Sequence, residues 1–125
     1  MQIKYVRLFT GDDGQSHFED GFIDLKESMP GVGLSVVMDH HSVQFAETAA
    51  GGTYDWHCAP RRQLVATLSG TVEFESRLGE TKRIETGDLL MAEDTVGGGH
   101  RWKLIGEEPW RRLYVHLESD ESADS

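Results

Sequence analysis

The sequence predicts an all-β protein. Three observations carry that prediction: Val, Ile, Phe, Tyr, Trp and Thr gather in short segments, Gly, Asp or Pro closes each segment, and no stretch reads convincingly as a helix. The turn signals recur at intervals of roughly ten residues, the spacing of a β-sandwich or barrel.

The first expected strand, 2–9, ends at the turn sequence GDDG (11–14), and the second, 18–25, runs toward MPG (29–31). A third strand is expected over 33–38, where GLSVVM is rich in branched residues, and a fourth over 43–48, closed by AAGG (49–52). Next come 53–58 and 63–69, joined through Pro60, then 71–76 after the turn at Gly70. Strands over 80–85 and 88–92 flank TG (86–87), and the glycine run VGGG (96–99) precedes one over 101–105. After GEEP (106–109) a last strand is expected over 110–117. A single domain over 1–118 is expected, followed by an acidic, disordered tail over 119–125 (DESADS preceded by Ser119 and its neighbours in SDESADS has nothing apolar to bury).

Of 125 residues, 22 are acidic and 12 basic, a formal charge of −10, so phosphate backbones and anionic membrane surfaces are repelled and nucleic acid and membranes are excluded as expected partners. No apolar run approaches the ~18 residues of a membrane span. The opening MQIKYVRLFTGDDGQ has no basic and apolar export pattern, and Cys58 has no second cysteine to pair with; both lead to the expectation of a cytoplasmic protein. Arg61–Arg62 and Arg111–Arg112 keep local positive charge within this acidic chain. Either pair is able to receive a small anion, and either reads equally as an ordinary solvated pair, a reading that is favoured for Arg111 and Arg112.

Side chains alternate along a strand, so Asp55, His57 and Ala59 are expected on one face and Tyr54, Trp56 and Cys58 on the other. Gln63, Val65 and Thr67 share a face of the next strand, and the short link through Pro60 lets His57 and Gln63 converge on one interior. Trp102 shares the strand face of His100, two positions on, which places it as an apolar wall. Trp110, Arg112, Tyr114 and His116 form a polar and aromatic stripe that suits either a pocket mouth or a dimer surface. His17 reads as surface, His40 and His41 as a turn pair, Trp56 as packing and Cys58 as a small half-buried side chain beside the site.

The stretch from Gly51 to Gly70 resembles the first motif of the cupin family, G-x5-H-x-H-x3,4-E-x6-G. Gly51, His57 and Gly70 stand on spacing, Ala59 takes the place of the second histidine and Gln63 that of the glutamate. The second motif, G-x5-P-x-G-x2-H-x3-N, is echoed from Gly87: Glu93 replaces the proline, Thr95 the glycine and Leu104 the asparagine, and His100 falls two residues late. The resemblance covers about residues 33 to 117. It implies a cupin jelly-roll barrel, a double-stranded β-helix, and a homodimer.

The family resemblance further implies a divalent metal, iron, manganese, nickel or zinc, held here by His57, Gln63 and His100, with Ala59 donating nothing. Asp55 and Asp94 are the carboxylates within reach to complete the set. Without metal, the same residues bind a small molecule by hydrogen bonds, Gln63 both donating and accepting. Two functions follow. One is an enzyme acting on a small polar or anionic metabolite, a metal-dependent lyase, isomerase or oxygenase, with His57 and His100 as ligands or general bases, and Gln63, Arg61 or Arg62, Trp102 and Asp55 holding substrate. The other is a metal-free, non-catalytic binding or sensing module. The glycines before His100 allow a tight turn or a mobile lid.

Overall fold

The computed structural model describes residues 1–118, so the tail expected over 119–125 lies outside the described residues. Twelve strands follow one another without an intervening helix: β1 (Gln2–Thr10), β2 (Ser16–Asp24), β3 (Lys26–Met29), β4 (Val32–Leu34), β5 (Ser42–Thr48), β6 (Thr53–His57), β7 (Gln63–Ser69), β8 (Thr71–Ser76), β9 (Thr81–Ile84), β10 (Leu89–Ala92), β11 (His100–Ile105) and β12 (Trp110–His116). They form a six-stranded sheet in the order β2-β1-β10-β7-β12-β5, a four-stranded sheet in the order β6-β11-β8-β9, and the separate hairpin β3-β4. Pairing is antiparallel except between β1 and β10, where Val6 lies beside Leu90 and Leu8 beside Ala92.

The two larger sheets face each other across one core. Val6, Leu8, Val65 and Leu90 come from the six-stranded sheet, and Val72, Phe74, Ile84, Trp102 and Leu104 from the four-stranded one, with Trp110 of β12 between them. Each side chain of this size that leaves water contributes roughly 1.5–3 kcal/mol. Period two is plain where one face is buried: His100, Trp102 and Leu104 point inward along β11 while Arg101 and Lys103 are exposed. This arrangement of two packed sheets is compatible with a jelly roll. Among the described residues the ladders form separate sheets, so the all-β expectation is met and closure into a barrel is not drawn by a ladder between them.

Two expectations about strands are corrected. The strand expected over 33–38 stops at Leu34, and Val36 and Val37 lie 81% and 94% exposed with no ladder partner. Branched residues favour a strand only where a neighbouring strand is present to pair with and pack against. The short polar strand β3, unforeseen, pairs instead with β4 around the turn at Pro30 and Gly31.

Candidate functional site

β6 and β11 pair with one irregularity: His100 is opposite His57, but Trp102 is opposite Tyr54, so Asp55 and Trp56 together face Arg101. This extra residue is a β-bulge, and it shifts which side chains share a face. Tyr54 and His57 both turn to the interior side, with ring centroids 4.1 Å apart. Asp55 does not join His57, as strict alternation had it. Its side chain lines a shallow depression on the outer face beside Glu73, Glu75 and Lys103, and its Oδ1 accepts from the Trp56 amide. Trp56 is also outside, with the guanidinium carbons of Arg77 and Arg101 at 4.1 and 4.7 Å from its ring centre.

His57 and His100 meet, with ring centroids 4.4 Å apart. Each ring is held through Nδ1. His57 Nδ1 donates to the carbonyl of Asp55 at 2.7 Å, and His100 Nδ1 lies 2.6 Å from Asp94 Oδ2. A proton on Nδ1 leaves Nε2 as the bare lone pair of a neutral ring. Asp94 is fully buried and is itself braced, since the hydroxyl of Ser16 donates to the same Oδ2 at 2.7 Å. The carboxylate therefore orients His100 through the far nitrogen instead of standing in line as a metal ligand. Burial pushes the His57 imidazole below its ordinary value, and the proximity of His100 adds to that, so the neutral ring is favoured.

The loop before β11 is fixed by close approach. Gly99 has φ +72°, and a Cβ there would lie 2.3 Å from the His57 carbonyl oxygen. Only glycine lets the chain cross the His57 backbone this closely and deliver His100 opposite it. Ala59 contributes its amide to the Asp94 carbonyl at 3.1 Å, which ties the first motif to the second.

Beside His57 opens a cavity of about 210 Å³, which shares His57, Pro60, Gln63, Trp102 and Tyr114 with a second one of about 40 Å³ that reaches His100. Gln63 is buried and lines both, as its place on β7 predicts, and Trp102 forms a wall with Tyr54, ring centroids 5.7 Å apart. Arg61 lines the mouth, and its Nη1 donates to His116 Nδ1 at 2.8 Å. The stripe on β12 lines the pocket too: Arg112, Tyr114 and His116 all border the mouth. Arg112 is thus no solvated surface residue, at 7% exposure, and was the residue that sequence reasoning undervalued.

Other candidates sit elsewhere. Arg62 turns outward, where its Nε donates to Glu93 Oε2 and its amide to Glu118. Burial alone would raise the Glu93 carboxyl, but Arg62 and Arg7 outweigh it and hold it below its usual range. Arg62 is therefore taken up by an ion pair and is not available to a ligand. Cys58 lies beside the Gly97 carbonyl, and burial together with the Asp94 charge pushes its thiol up, which makes it a poor nucleophile. His17 pairs with Asp13, and His40 and His41 are exposed.

As a metal site the donor set is two imidazoles and the amide of Gln63. Among the described residues no group of three His, Cys, Asp or Glu side chains is placed to hold an ion. Asp94 gives Oδ2 to both His100 and Ser16 while its buried Oδ1 has no hydrogen-bond partner among the described residues, and Asp55 is outside. Three donors match the protein-ligand count of a catalytic ion, but the third is a neutral amide oxygen in place of a carboxylate or imidazole, so the residues present do not fit a tightly held divalent ion.

No family model matches the chain, and the curated proteins offer no significant relative. Solved structures do. A conserved protein of unknown function from Streptococcus pyogenes is similar with 21% identity and a TM-score of 0.47, over 68% of this chain and 72% of that one. The cupin domain of Schizosaccharomyces pombe Cnp3 is similar with 16% identity and a TM-score of 0.51, over 98% of this chain and 91% of that one. None of the described residues forms a helix long and apolar enough to cross a membrane. With two packed sheets, histidines brought together from both motif stretches and this neighbour over nearly its whole length, the chain has a cupin-like fold.

Proposed function

We propose that the protein binds a small polar or anionic metabolite in the cupin pocket and moves a proton on it, with His100 as the general base. The observation that carries this reading is the buried Asp94–His100 pair at 2.6 Å, braced by Ser16 and facing His57. A carboxylate on Nδ1 fixes the tautomer and supports positive charge on the ring once Nε2 has taken a proton. His57, favoured in its neutral form, is the partner ring that accepts or returns a proton, and Gln63 orients the ligand. Proton abstraction next to a carbonyl, as in isomerisation or elimination, is chemistry within reach of such a pair. Because the donor set does not complete a metal site, no step is routed through an ion; tight stoichiometric metal in protein purified without a tag would replace this reading with the metal-dependent one.

The test is solvent exchange. In D2O, a pocket with a working base transfers deuterium to the acidic carbon of a bound metabolite, seen by proton NMR across a pool of small oxo and hydroxy acids. Wild type is expected to exchange at least one, and His100→Ala none. Binding without exchange would leave the non-catalytic module as the function.

A second copy of the chain is part of the proposal. Val43, Phe45 and Leu68 are 53%, 74% and 51% exposed on the outer face of the six-stranded sheet, where Leu113 is opposite Phe45 and Val115 opposite Val43. Apolar surface of this kind is ordinarily covered. Sedimentation is expected to find a dimer, and Phe45→Glu a monomer. A cytoplasmic setting accords with the lone thiol of Cys58.

A further inference from the structure

The geometry points to Arg112 and Tyr114 as a clamp for the carboxylate of a small organic acid, an inference that rests on the pocket being a ligand site. Arg112 is 7% exposed, and among the described residues no carboxylate pairs with it. Its strand neighbour Arg111 does have one, Glu47 at 2.7 Å, although it lies in solvent where a counter-ion matters less. The buried guanidinium instead donates from Nε to Tyr114 Oη at 3.0 Å and from Nη1 to Thr48 Oγ1 at 2.8 Å and the Trp110 carbonyl at 3.1 Å. Its carbon lies 3.9 Å from the centre of the Trp110 ring.

These contacts orient the guanidinium without neutralising it, and a buried charge is ordinarily paired. Nη2 has no protein acceptor among the described residues. Nε and Nη2 share one edge of the guanidinium, and at that edge Tyr114 Oη already accepts from Nε, so its own proton is left to donate. Arg112 and Tyr114 both line the mouth cavity, and no described Asp or Glu lines it, in a chain of net charge −10. Two donors on one edge match the two oxygens of a carboxylate. A cavity of about 210 Å³ lies below the ~300–1,000 Å³ of drug-sized sites, which selects a small acid.

Calorimetric titration with acetate, propionate and benzoate, each beside its uncharged amide and with inorganic phosphate as a further arm, tests the inference. At least one acid is expected to bind saturably and at least tenfold more tightly than its amide and than phosphate. Arg112→Met is expected to weaken that acid by tenfold or more, and Tyr114→Phe by severalfold. Equal binding of acid and amide, preference for phosphate, no acid bound by wild type, or unchanged affinity in folded Arg112→Met would each overturn it. If Arg112→Met does not fold, the acid-to-amide ratio and Tyr114→Phe decide. His100→Ala separates the two readings, since it is expected to retain the acid while losing deuterium exchange; in wild type, acid binding without exchange sinks only the base, and exchange without acid preference sinks only the clamp.

Discussion

His57 and His100 are the same ring held in two ways. The His57 imidazole hangs from a bulged edge strand and gives its Nδ1 proton to the neutral carbonyl of Asp55 in its own strand. The His100 imidazole lies inside the four-stranded sheet and is held by a buried carboxylate from another loop, which a serine on β2 holds in turn. At His57 burial outweighs the carbonyl, which by itself favours the protonated ring, and leaves the imidazole biased to neutral, whereas the acceptor on His100 is a buried anion. On the proposed function, this difference makes His100 the base and His57 the softer partner. Breaking the comparison means altering one support while the other is left intact.

The largest effect is expected where the two supports touch. Gly99→Ala places a methyl 2.3 Å from the His57 carbonyl oxygen at φ +72°, whereas Gly51→Ala, at φ +82°, meets nothing within 4 Å. Left-handed strain alone costs about 1–2 kcal/mol, so Gly51→Ala is expected in that range and Gly99→Ala above about 3 kcal/mol by urea unfolding. Equal losses would mean that the loop does not set the spacing of the two rings.

Asp94→Asn comes next. It keeps the shape but removes the anion between Ser16 and His100. A loss of about 2 kcal/mol is expected, together with a roughly 10–100-fold slower deuterium exchange, the usual size for an orienting partner. The slowing at temperatures where the variant stays folded is the sharper readout, because a merely structural carboxylate would not produce it.

The ring on the bulge responds to pH. His57 is expected to titrate below 6.5 by NMR, chiefly because it is buried, and His100→Gln is expected to recover only the smaller part owed to the neighbouring ring. Between its folded value and 6.5 the unfolded chain binds more protons, so the His57 contribution to stability is full above 6.5 and is lost as pH falls toward the folded value. In His57→Ala that limb of the stability profile should flatten. A His57 midpoint at or above 6.5 would leave the ring without the neutral bias assigned to it.

How much of this was written in the sequence divides along the same line. The strands were legible because turn residues punctuate branched and aromatic runs, and His57, Gln63, Trp102 and His100 converge as period two predicts. Arg112 was misjudged because a strand pattern gives the face of a residue but not whether that face is covered, and only the second sheet shows that it is. The support of His100 was half legible: Asp94 was noticed as a carboxylate near His100 but read as a ligand, since its partner Ser16 lies on β2, far away in sequence. The bulge was not legible at all. Nothing in TYDWH marks an extra residue, because the irregularity exists only against Arg101 on the neighbouring strand.

That bulge makes the smallest prediction the most specific. If β6 alternated strictly, the Asp55 side chain would stand beside His57, and removing it would strip the pocket of a carboxylate. With the bulge, only the Asp55 backbone serves His57, while the side chain faces outward and accepts from the Trp56 amide. Asp55→Ala is therefore expected to leave acid binding and deuterium exchange within twofold of wild type and to change stability by less than about 0.5 kcal/mol, the range of ordinary surface substitutions. A large fall in exchange on this variant would restore Asp55 to the interior and remove the bulge from the account of why Tyr54 and His57 share a face.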